Sequence, residues 1–132
     1  MKITIPIKTP SVNHIYFTWK NRRILTKEAR SLKEDIQVFL DEQVDYSDFL
    51  NFKEKELRVT VDVYENWYTK KGTVARKDVS NREKWLIDTV FKILGLNDKF
   101  IFNHKMNKVQ STTEKTIINI EIIGEKEVIN LE

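Results

Sequence analysis

The chain has 132 residues and no cysteine, which excludes disulfides and thiolate zinc sites and fits a reducing compartment. Its hydrophobic share of 40% can build one core, so residues 1–132 read as a single domain, while the net charge of +3 conceals an uneven spread of sign. No apolar run approaches the roughly 18 residues of a membrane span, Met1–Pro6 is too short for a signal peptide's apolar region, and the chain reads as soluble and cytoplasmic.

Between Lys2 and Lys8, Ile3, Ile5 and Ile7 alternate with polar residues, the period of a strand. Pro10-Ser-Val-Asn13 breaks it. Residues 14–25 are aromatic and basic, with Tyr16, Phe17, Trp19, Lys20, Arg22 and Arg23, and predict a loose hairpin. Thr26 is placed as the N-cap of a helix reaching about Gln43. Ala29, Leu32, Ile36, Phe39 and Leu40 give that helix one apolar face. An acidic stretch follows, with Asp41, Glu42, Asp45, Asp48, Glu54 and Glu56.

From Leu57 to Tyr64, Leu57, Val59, Val61 and Val63 alternate with polar residues and predict a second strand. A basic loop spans Asn66 to Lys77. A second helix is predicted from about Val79 to Leu94, with Leu86, Ile87, Val90, Phe91 and Leu94 inward and Gly95 in the C′ position. Phe100–Val109 and Lys115–Ile123 predict two more strands, joined as a hairpin around Ser111-Thr-Thr-Glu114. The order β-α-β-α-β-β predicts an α+β domain, a mixed sheet of about four strands with two main helices packed on it.

The chemistry concentrates around the second helix. Asp78 stands at its entrance, where a carboxylate caps free N–H groups and a phosphate could also dock. Asn81, Lys84 and Asp88 follow at three- and four-residue steps and form one polar stripe. Lys84 and Asp88 also have the spacing of a surface ion pair. Asp98 lies just past Gly95, in an Asn97-Asp98 pair that suits a turn. Asp78 and Asp98 meet only if the segment after Gly95 folds back along the helix. Carboxylates in basic surroundings point to Mg²⁺ held against a nucleic-acid phosphate, because oxygen ligands suit that hard cation. Lys70, Lys71, Arg76, Lys77 and Arg82 would bind flanking phosphates. Trp19, Trp67 and Tyr68 suit either base stacking or core packing. A histidine-based nuclease lacks support, since His104 has no second histidine in strand register.

Asp78-Val-Ser80-Asn81-(x)₂-Lys84, the Ile87-Asp88-Thr89-Val90 helix, and Gly95-Leu-Asn-Asp98-Lys-Phe-Ile101 resemble the core signature of the RusA family of Holliday junction resolvases. That signature is typically Asp-x-Asp-Asn-(x)₂-Lys, a helix containing Asp-Ala-Leu, then Gly followed by Asp-Asp-x-x-Val/Ile. The N-terminal half is similar too, with a strand leading to Pro10-Ser-Val-Asn13-His14-x-Tyr16, then Arg22-Arg23 and a helix. The resemblance covers roughly residues 3–123. It implies a small homodimer, bacterial or phage-encoded, that binds four-way DNA junctions and cuts them symmetrically with Mg²⁺ or Mn²⁺. Asp78, Lys84 and Asp98 take the catalytic positions, supported by Ser80, Asn81 and Asp88. Asp78 and Asp98 take the metal positions. Asn13, Arg22 and Arg23 join the basic loop as DNA contacts. The chain departs at Ser80, where the family usually has a second aspartate. Asp88, Asp62 and Glu65 are the candidates to compensate; the alternative is a relative that binds branched DNA without cutting it.

Overall fold

The computed structural model describes residues 1–8, 16–77 and 80–125, with the backbone alone at Tyr16, Ser80, Asn81, Arg82 and Glu125. In chain order the elements are β1 (Lys2–Ile5), β2 (Tyr16–Trp19), β3 (Arg22–Leu25), α1 (Lys27–Gln43), a 3₁₀ helix (Tyr46–Phe52), β4 (Lys55–Glu65), α2 (Ser80–Leu94), a short 3₁₀ turn (Asp98–Phe100), β5 (Ile101–Gln110) and β6 (Lys115–Glu125). Thr26 caps α1 as its sequence position predicts, its hydroxyl accepting from the Ala29 N–H at 3.1 Å. The 3₁₀ helix is an addition to the expected elements. Asp45 caps it, and it delivers Phe49 fully buried into the core.

The main sheet runs β1-β6-β4-β5, and β2 and β3 form a separate antiparallel pair. β4 is parallel to β5 and antiparallel to β6. This overturns the hairpin expected between β5 and β6, because β4 lies between them. The reason lies in the side chains. β4 buries Leu57, Val59, Val61 and Val63 on one face, and a strand so apolar is best placed with partners on both edges. β5 carries His104, Lys105, Asn107 and Lys108, mostly exposed, and suits an outer edge that lysines keep from further pairing.

One face of the sheet receives both helices. Ile3, Ile5, Val59, Val61, Ile118 and Ile120 meet Ala29, Ile36 and Leu40 of α1 and Leu86, Val90 and Phe91 of α2. Fully burying each such side chain contributes about 1.5–3 kcal/mol.

Two local features then shape the region beyond α2. Gly95 takes φ +72°, its N–H bonds the Lys92 carbonyl at 3.2 Å, and the Leu96 N–H bonds the Phe91 carbonyl at 2.9 Å. This is the Schellman closure that the glycine predicts, and it turns the chain sharply back. The second feature is a bulge at the start of β5. Leu57 pairs with Ile101 but Arg58 pairs with Asn103, so Phe102 has no opposite residue. The extra residue shifts the alternation, and His104 and Met106 become the partners of Val59 and Val61, on the helix-covered face. Among the described residues no helix is long and apolar enough to cross a membrane.

Candidate functional site

The turn at Gly95 leads into Asn97, whose side chain accepts from the Lys99 N–H at 3.0 Å and caps the short 3₁₀ turn. That turn aims Asp98 back at the middle of α2, where its carboxyl faces the carboxyl of Asp88 across a shared pocket wall. Burial, then the hydrogen bond and charge of Asp98, push Asp88 above the usual carboxylate range, while Lys84 and Lys92 pull it back down. Lys84 therefore acts on Asp88 through its charge.

The carboxyl pair is the common wall of two open pockets. One, of about 390 Å³, is lined by Lys84, Ile87, Asp88, Asp98, Ile101, His104 and Met106. The other, of about 450 Å³, is lined by Asp88, Phe91, Lys92, Gly95, Leu96, Asn97 and Asp98. His104 stands alone in strand register, and the Phe102 bulge is what turns it to this side. Partial burial holds its pKa below the usual histidine value, so it is uncharged at neutral pH.

The structure thus brings Lys84, Asp88 and Asp98 to one pocket. Asn13 and Asp78 lie outside the described residues, as do the side chains of Ser80, Asn81 and Arg82. Asp88 is the one of the three candidate compensating acids that reaches Asp98. Asp62 alternates with Val61 and Val63 onto the opposite sheet face and accepts from Asn107 Nδ2 at 2.8 Å. Glu65 is 2% exposed and is held by Lys77 Nζ at 3.1 Å and Lys8 Nζ at 3.8 Å. Lys77 also donates to the Asn66 carbonyl at 2.7 Å, so its ammonium ties down the start of the basic loop.

Lys70 and Lys71 sit exposed at the tip of that loop. A bridge between Tyr68 and Val74, the Thr69–Thr73 backbone bond of 2.8 Å and Gly72 at φ +80° fold it into a small hairpin. Arg76 is exposed beside it, and Arg22 and Arg23 are exposed on β3. Trp67 packs inward, its Nε1 donating to the carbonyls of Val63 and Val109, both at 3.1 Å. Trp19 and Tyr68 remain exposed.

Asp88 and Asp98 suit a hard divalent cation. Magnesium is commonly held by one or two carboxylates, with water and substrate phosphate completing its shell, and a cation would relieve the repulsion between two ionised groups. Among the described residues no three acidic or histidine side chains converge on one point, so any third protein ligand would come from elsewhere in the chain. Compared with known proteins, the chain matches the family model for Endodeoxyribonuclease RusA over residues 6–121. No curated protein matches it.

Proposed function

The chain belongs to the RusA endodeoxyribonuclease family, and from that premise we propose that it is a divalent-metal-dependent endonuclease that cuts branched DNA such as four-way junctions. The observation that carries the site is the meeting of Lys84, Asp88 and Asp98 in one pocket. Asp78 and Asp98, with Asp88, would hold Mg²⁺ or Mn²⁺. Such a cation supplies Lewis-acid polarisation of the phosphate and acidifies a water for in-line attack.

The protein's own groups do the rest. A carboxylate binds a cation in its ionised form, so the cation would draw Asp88 back from the raised value that burial gives it. Lys84 offers an ammonium on the same pocket wall, where negative charge grows on the phosphate oxygens. His104 offers an uncharged hydrogen-bonding ring. Lys70, Lys71 and Arg76, with Arg82, Arg22, Arg23 and Asn13, would hold flanking phosphates, which position DNA without reading its sequence. Two-fold pairing of protomers would present one site to each of two symmetric strands, an isologous arrangement that light scattering at micromolar concentration would test.

The decisive experiment incubates the protein with a four-way junction in Mg²⁺, Mn²⁺ or EDTA, beside gel-shift binding in EDTA. Paired, cation-dependent nicks are the expected result. No cleavage of junctions or flaps at any cation concentration would overturn the enzyme reading. Ser80 favours a second reading, because the family's usual acid at that position is replaced by a neutral hydroxyl. Junction binding without cleavage would establish it.

A further inference from the structure

The hairpin of β2 and β3 stands apart from the main sheet. Its two-residue turn places Lys20 at φ +48° and Asn21 at φ +61°, the left-handed pair of a type I′ turn. Register sets its two faces. Phe17 pairs with Ile24 and Trp19 with Arg22, so these four share one face, while Leu25, on the other, packs against the core. Phe17 is 44% exposed and Trp19 55% exposed. Lys20 Nζ lies 4.4 Å from the centre of the Trp19 ring. Residues 16–25 hold Lys20, Arg22 and Arg23 and no acidic residue.

An exposed aromatic pair flanked by Lys20 and Arg22 on the same side of a hairpin suits one class of partner. The rings can stack on any base, and the cations match the phosphates on either side. An apolar protein surface would leave Lys20 and Arg22, the cations beside Trp19, desolvated and unmatched. A duplex interior offers no open base face, because each base pair is already stacked on both sides, whereas a branch point interrupts that stacking. We infer that the β2–β3 hairpin is a branch-point wedge, with Trp19 stacking on a base left unstacked where DNA strands diverge. This rests on the reading that the substrate is branched DNA, and it adds a device that distinguishes a branch from a plain duplex.

Trp19 is also a convenient reporter. Of the chain's three tryptophans, Trp67 is 3% exposed and Trp85 5% exposed. The test uses the full-length protein, wild type, Trp19→Ala and Trp19→Phe, with folding checked by circular dichroism and oligomeric state by light scattering. The probes are a four-way junction carrying 2-aminopurine at the branch, and a linear duplex of the same sequence, both in EDTA. Saturating junction should quench the exposed tryptophan emission of wild type and change the 2-aminopurine signal. Trp19→Ala should weaken junction binding about 5- to 100-fold, the span of one lost base–aromatic stack, with a much smaller effect on duplex. Trp19→Phe should recover most of the loss. Unchanged junction affinity in folded Trp19→Ala, or unquenched emission in wild type bound to junction, overturns the wedge and leaves the nuclease reading standing. Loss of dimer in Trp19→Ala would instead assign the face to a second copy of the chain. If wild type fails to prefer junction over duplex, the branched-DNA reading itself falls and the wedge with it.

Discussion

The carboxyl of Asp98 faces that of Asp88 across the fold-back at the end of α2, on the wall of one pocket. Two like-charged groups in that position burden the isolated fold, and the arrangement makes sense where a cation is to be received between them. The pair, its neighbours and the turn that builds it each make a different measurable commitment.

Asp88 is raised chiefly by burial and by Asp98. A raised folded-state value means the proton is bound more tightly in the fold than in the unfolded chain. The stabilisation is therefore fully present below the ordinary carboxylate range and is lost as pH rises through the raised value. In EDTA near neutral pH, Asp88→Asn should raise Tm by about 1–2 °C, a gain that solvent screening of this partly exposed group keeps small. The gain should shrink in acid, where wild-type Asp88 is already neutral. Thermal unfolding across pH checks this, and a loss of stability at neutral pH would contradict it.

Divalent cation should stabilise the folded protein by mass action, by about 2.7 kcal/mol at a hundred times its Kd. Asp98→Asn and Asp78→Asn should each remove most of that cation-dependent rise in Tm. If both variants respond to Mn²⁺ as wild type does, the cation binds somewhere else. Calorimetric titration with Mn²⁺ reads the same effect without any substrate.

Lys84→Ala should separate rate from affinity. Removing one charge-stabilising donor costs turnover about 10²–10³-fold. Binding to a junction in EDTA should fall only slightly, with the salt slope reduced by roughly one. Equal losses in binding and single-turnover cleavage would make Lys84 a phosphate anchor.

Ser80→Asp restores the acid usual in the family. It should tighten Mg²⁺, since anionic ligands set affinity for hard cations, and shift the cleavage optimum to lower concentration. Without metal the extra charge should lower Tm slightly. No change in metal optimum would mean that Asp88 already fills the role. An inactive wild type with an active Ser80→Asp variant would favour the binding-only reading.

Gly95→Ala tests the turn. A Cβ there would meet only Lys53 Cε at 3.9 Å, ordinary contact, so the cost comes from φ +72° rather than from crowding. About 1–2 kcal/mol of stability should be lost. Cation affinity should fall as well, because Asp98 depends on this turn to reach Asp88.

Much of the fold was readable in advance because alternation and helical spacing are local properties. Leu57, Val59, Val61 and Val63 declared a strand with one buried face, Thr26 declared a cap, and Gly95 declared a turn. Which strand sits beside which is decided elsewhere. Ser111–Glu114 looked like a hairpin turn because β5 and β6 are neighbours in sequence, yet the buried face of β4 claimed the place between them. The pocket was half legible. Lys84 and Asp88 share a helix stripe, so they could be grouped from spacing alone. Asp98 joins them through a backbone reversal, and His104 through one unpaired residue at Phe102. Neither event leaves a periodic trace. The exposed aromatic at Phe102, out of phase with its neighbours, is the nearest thing to a signal.

The strand order carries a consequence for how the chain acquires its structure. Among the described residues β1, from Lys2, pairs with β6 alone, which begins at Lys115, and β4 has a free edge until that same strand arrives. β1 must therefore wait for β6, and the sheet closes in one late event over a long loop, a high-contact-order topology that slows folding. A growing chain on the ribosome would hold both helices before it had a complete sheet to lay them on. Pulse-labelled hydrogen exchange during refolding should show amides of β1, β4 and β6 becoming protected together.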